Sequence, residues 1–178
     1  MKKSNTGLFS MLKQNSVESA VLLLAEILAL CGGLVLILMV FVNIGSIFGR
    51  VLFGMPLVGD FELIEIACGV SIFMFLPICK LKNGNIIVDT FTLRLSKKKR
   101  LLLDLIGDAL FGLVAIFFAY RMMFGLLDMI RYREQTMLLE IPVWIPFGPA
   151  IFSLFFLSLI CFISVLSKLS TLVIVRAN

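Results

Sequence analysis

The chain has 178 residues, of which 61% are apolar, a mean hydropathy of +1.11 and a formal net charge of +5. Water-soluble domains are nearer 45 to about 50% apolar, so an ordinary soluble fold is excluded and the class is an integral membrane protein. His is absent, which removes histidine-ligated haem, imidazole acid–base chemistry and every His-containing metal triad. No Gly-x-x-x-x-Gly-Lys phosphate loop and no Ser elbow with a serving base is present either, so neither an enzyme nor a cofactor is expected.

A helix needs roughly 20 apolar residues to cross a ~30 Å hydrocarbon core, and four stretches qualify. The first covers 21–49, too long for a signal-peptide core and without an A-x-A-like site after it. It is expected to stay in the mature protein. Ala25, Ala29 and Gly33 recur every four residues along it, and Gly45 and Gly49 form a G-x-x-x-G; such small residues let helix backbones approach closely. Arg50 ends this span, and GMPLVG, Gly54 to Gly59, reads as a tight turn. The second span covers 61–79, with Glu62 and Glu65 one turn apart at its start and Pro77 expected to bend its far end.

Between the second and third spans lies CKLKNGNIIVDTFTLRLSKKKR, Cys79 to Arg100. Ile87, Phe91 and Leu95 repeat at four-residue spacing with polar residues on another face, which predicts a short amphipathic helix over about 86–95 lying in the membrane interface. The FTLRL portion also alternates with period two, so an extended piece is the alternative. Asn83-Gly84-Asn85 supplies a turn into this segment, and Ser96 can cap the next span.

The third span covers 101–127. Arg100, Asp104 and Asp108 fall four apart along one stripe, so Arg100 and the adjacent lysines are expected to neutralise the two acids, with Asp108 facing protein rather than lipid. Arg121 and Asp128 stand near the span's other end. The loop RYREQTMLLEIPVWIPFGP follows; Pro142, Pro146 and Pro149 make it irregular or the first turn of the fourth span, 143–166. Trp144 and Tyr132 suit the aromatic belt at headgroup level. Around Glu134, Pro142, Trp144 and Pro146 the loop is either an interfacial anchor or a docking surface for an external partner.

Orientation follows from Lys and Arg. Of the sixteen, only Arg50, Arg121, Arg131 and Arg133 fall on or near one side. The positive-inside rule then places both termini and Cys79 to Arg100 in the cytoplasm, where anionic lipid attracts the basic residues. The positive charge is thereby accounted for without a nucleic-acid partner. Arg50, Glu62, Glu65 and Arg121 come to similar depth on the outward side, so cross-helix ion pairing is expected of them; the alternative is that Glu62 or Glu65 binds a coupling cation or relays protons. Cys31, Cys68, Cys79 and Cys161 lie in or at the ends of apolar spans and read as small apolar residues, not as a disulfide or zinc framework.

The order of these features resembles the small, Q-type membrane subunit of tripartite ATP-independent periplasmic (TRAP) transporters over about Asn43 to Lys168. The residues carrying the resemblance are RVLFGMP from Arg50, GDFELIE with Gly59, Glu62 and Glu65, GNIIVD from Gly84 to Asp89, Arg100 with Asp104, and EIPVWIPF around Pro142 and Trp144. Asn85 stands where the family commonly has His. The resemblance implies a scaffold in a bacterial cytoplasmic (inner) membrane that braces a large multi-span subunit carrying the substrate and sodium sites. It also implies a periplasmic binding protein that delivers organic anions such as carboxylates. Rival readings are the small four-span subunit of a tripartite tricarboxylate transporter and a self-assembling small channel. The expected architecture is therefore all-α: one membrane domain over 1–178, four transmembrane helices, an interfacial helix and cytoplasmic termini.

Overall fold

In a computed structural model, residues 16–54, 58–82 and 97–177 are described, and side chains over 19–54, 58–82 and 101–170. Four helices dominate: α1 (Ser16–Phe53), α2 (Asp60–Leu81), α3 (Lys97–Tyr132) and α4 (Phe147–Ala177). All four are long and apolar enough to cross a membrane. At ~1.5 Å per residue, the 22 residues of α2 span about 33 Å and match the hydrocarbon thickness. The 38 residues of α1 and 36 of α3 exceed it by many residues, so those two helices tilt or project beyond the core. The expected interfacial helix, with Ile87, Phe91 and Leu95, lies outside the described residues.

The helices pack in the order α1, α2, α4, α3. Contacts between Ala25 and Ile78, and between Gly32 and Ser71, make α1 antiparallel to α2; Phe73 against Ser153, with Ile78 and Leu81 clustered against Phe156 and Ile160, makes α2 parallel to α4. Central α4 is the most buried. One cluster joins Ala25, Ile78, Leu81, Phe156 and Ile160, and a second joins Ala115, Ala119, Leu154, Leu157 and Cys161.

Close backbone approach explains the small residues. A Cβ on Gly32 would stand 3.2 Å from that of Met74, and the Ser71 hydroxyl donates to the Gly32 carbonyl at 3.0 Å. Of the expected stripe, Ala25 is fully buried, while Ala29 and Gly33 are only half-buried; the tightest approach lies one residue off it, at Gly32. Gly45 is exposed with open space around it, so the expected G-x-x-x-G makes no tight approach at Gly45 to a described helix. On α3, Gly112 fits against the Cβ of Cys161.

Pro77 stays inside α2. A proline has no N–H for the carbonyl four residues earlier, here that of Phe73. Ser153 on α4 donates its hydroxyl to that carbonyl, which satisfies in protein a group that lipid would leave bare.

Gly54 (φ 67) and Gly59 (φ 85) bracket the turn between α1 and α2, conformations that glycine adopts without a Cβ penalty. The fourth span was expected from Val143, but α4 begins at Phe147. Ile145 and Phe147 instead donate to the carbonyls of Pro142 and Trp144, at 3.3 and 3.2 Å, and these turns take up the chain between the prolines.

Candidate functional site

Charged and polar side chains meet at two levels. At one end of the bundle, Asp108 on α3 is 5% exposed. Its carboxylate is paired with the Lys80 ammonium from α2, accepts from Ser164 at 2.5 Å and from Lys168 at 2.8 Å, the last two on α4. Three helices are thus tied at one point. The ring of Phe111 lies 5.7 Å from the Lys80 nitrogen, within cation–π range.

Burial of Asp108 agrees with the expectation that it faces protein. Its described ion-pair partners are Lys80 and Lys168, and the expected neutralisation by Arg100 and the adjacent lysines falls on side chains outside the described residues. Asp104 is half-buried and forms no ion pair among them.

At the other end, Arg50 reaches Asp60 at 4.0 Å, and the Ser46 hydroxyl donates to Asp60 at 2.6 Å. Asp60 also accepts from the Phe61 amide at 2.9 Å. The expected pairing of Arg50 with Glu62 or Glu65 is therefore corrected to Asp60, the first residue of α2. Glu62 serves the backbone instead, accepting from the amides of Leu138 at 2.9 Å and Leu139 at 3.1 Å. Glu65 and Arg121 are exposed and make no ion pair with any described residue; Arg121 stands deeper than expected, two residues from Ala119, which packs with Leu154, and not at the level of Arg50 and Asp60.

The Glu62 bonds fasten the α3–α4 loop onto the start of α2. Within the loop Gln135 bridges to Pro142, Thr136 donates to the Ile141 carbonyl at 3.0 Å, and Val143 to that of Glu134 at 3.1 Å. Leu139 sits so close to Gly59 that a Cβ there would collide with it. A recess of ≈ 150 Å³ is lined by Ile130, Arg133, Glu134, Gln135, Pro142 and Trp144; Pro146 does not line it. Met137 projects from the tip, 96% exposed.

Sequence reasoning missed Lys80, Ser164 and Lys168 around Asp108, and Ser46 with Asp60 around Arg50. The signal available was a polar residue at the matching depth of a neighbouring span, which becomes usable only once the order of packing is known. No cluster of potential metal ligands occurs among the described residues.

Residues 36–171 match the family model described as "Tripartite ATP-independent periplasmic transporters, DctQ component". The chain belongs to the DctQ family. No curated protein and no solved structure matches it. As a DctQ component it is the small membrane subunit of a TRAP transporter, a multi-pass protein of a transporter family and not of an enzyme family. Membership in the DctQ family implies partnership with a large membrane subunit and a substrate-binding protein.

Proposed function

We propose that this chain is the scaffold of a sodium-coupled transporter for organic anions such as carboxylates, bracing the large subunit in a bacterial inner membrane. Its termini and the Cys79 to Arg100 segment lie in the cytoplasm. The loop around Glu134, Pro142, Trp144 and Pro146 helps seat the periplasmic binding protein.

The observation that carries this reading is the use made of the buried polar groups. Ser46, Asp60, Ser71, Asp108 and Ser153 are the buried polar residues among those described, and each is committed to a bond within the chain. A substrate path needs polar groups free to meet solute. A bundle whose polar groups lock helices together suits a static brace, and α1 and α3 leave long apolar faces for lipid and a neighbour.

Glu62 has a structural task of its own, since each of its carboxylate oxygens accepts a loop amide, and this favours loop fastening over a coupling-cation site. Co-expression with a TRAP large membrane subunit tests the reading. A stable complex in detergent is expected, and two proteins that purify apart from membranes containing both would count against it.

A further inference from the structure

Arg121 lies thirteen residues beyond Asp108 on α3, about 20 Å along the helix axis from the inner ionic cluster. Eleven more residues follow before α3 ends at Tyr132. Arg121 therefore stands deep within the apolar slab, and it is exposed, with no hydrogen bond or ion pair to any described residue.

The face it occupies is defined by geometry. Asp108, Ala115 and Ala119 are buried toward α4. A turn of about 100° per residue puts Arg121 on the opposite side, in line with exposed Leu110, Phe117, Phe124 and Asp128. A guanidinium in hydrocarbon is costly and calls for a partner. Reaching for a headgroup does not resolve the cost. Helix side chains lean toward the N-terminus, which for α3 is the inner end, and that level is too distant.

A second copy does not fit either. Packing α3 on α3 about a two-fold axis along the membrane normal brings equal depths together and sets Arg121 against Arg121. Asp128 is displaced outward by seven residues, ~10 Å, and an inverted copy conflicts with the Lys and Arg bias. Glu26, an exposed acid of α1, stands at the inner level beside Ala25, which packs with Ile78 and Leu81, so charge complementarity favours a different membrane protein with an acid at the depth of Arg121.

We propose that the α3 face formed by Phe117, Arg121 and Phe124 docks against a membrane helix of the large subunit that presents a carboxylate to Arg121; this rests on the scaffold reading above. The pair is dry and specific, and it fixes the register between the two subunits.

The test is a co-purification from cells expressing both subunits, combined with photo-crosslinking amino acids placed at positions 117 and 124. Arg121→Leu should accumulate in the membrane like the parent and lower recovered large subunit about tenfold or more, since it strands a buried carboxylate. Arg121→Lys should retain part of the recovery, and both crosslinkers should yield an adduct with the large subunit. Equal recovery with Arg121→Leu, or adducts only to lipid or to a second copy, would overturn the proposal while leaving the scaffold reading intact. If Arg121→Leu fails to accumulate, the crosslinks decide. Failure of the parent chain to recover the large subunit would sink both.

Discussion

Asp108 and Lys80, twenty-eight residues apart, meet in an ion pair that is closed from a third helix by Lys168 and Ser164. One carboxylate thereby holds two ammonium groups whose side chains are 9% and 18% exposed. Removing the carboxylate would leave two poorly hydrated cations facing each other.

Asp108→Asn should accordingly destabilise the bundle by about 3 kcal/mol, the order seen when a buried pair loses one member. Lys80→Met with Lys168→Met in the same chain should recover much of it. Thermal unfolding in detergent, followed by fluorescence of Trp144, measures both.

Glu62→Gln should free the loop without unfolding the helices. Glu62 serves two loop amides, one with each carboxylate oxygen, and glutamine keeps only one of those acceptors. Faster proteolysis between Arg133 and Trp144 is expected, with the melting temperature of the bundle little changed. In the assembled transporter the cation dependence of uptake should stay as it was. Its loss would return Glu62 to the role of a coupling site.

A double-mutant cycle between Ser153 and Pro77 tests the account of the proline. Ser153→Ala should cost about 1 to 3 kcal/mol by leaving the Phe73 carbonyl bare. In the Pro77→Ala background the restored amide can bond that carbonyl, so the same substitution should cost much less. Additive effects in equilibrium unfolding would mean the hydroxyl is not serving the gap left by proline.

Phe91→Glu with Leu95→Glu tests the interfacial helix proposed for 86–95. Charges on its apolar face should weaken seating in the interface, read as lower recovery of the complex from membranes. Unchanged assembly and uptake would return this stretch to an ordinary solvated loop.

How much of this could be read from the residues depends on how locally each feature is encoded. Runs of apolar residues and the helix rise place four helices with no tertiary information, and Gly54 and Gly59 mark their turn because positive φ is a local demand. Asp108 could be assigned to the protein interior from its depth alone. Its partners could not, since in the sequence Lys80 and Lys168 read only as basic residues that set orientation, and only packing shows that they meet Asp108. Depth along the spans suggests Glu62 and Glu65 as partners of Arg50. The nearer acid was Asp60, with Ser46 completing the contact, while Glu62 was taken by backbone amides seventy-six residues on. Backbone donors in an irregular loop have no signature in side-chain spacing. Gly32 escaped a stripe built on every fourth residue because the helix crossing, not the period, selects which small residue is approached.

The central claim is that this chain braces a transporter and does not itself conduct substrate. The most direct measurement is uptake of a labelled carboxylate into proteoliposomes with an inward sodium gradient and the binding protein added outside. Vesicles holding this chain alone should take up no more than empty ones, vesicles with the large subunit alone should be slow or unstable, and vesicles with both should be active. Uptake by this chain alone, or full and durable uptake by the large subunit without it, would contradict the account.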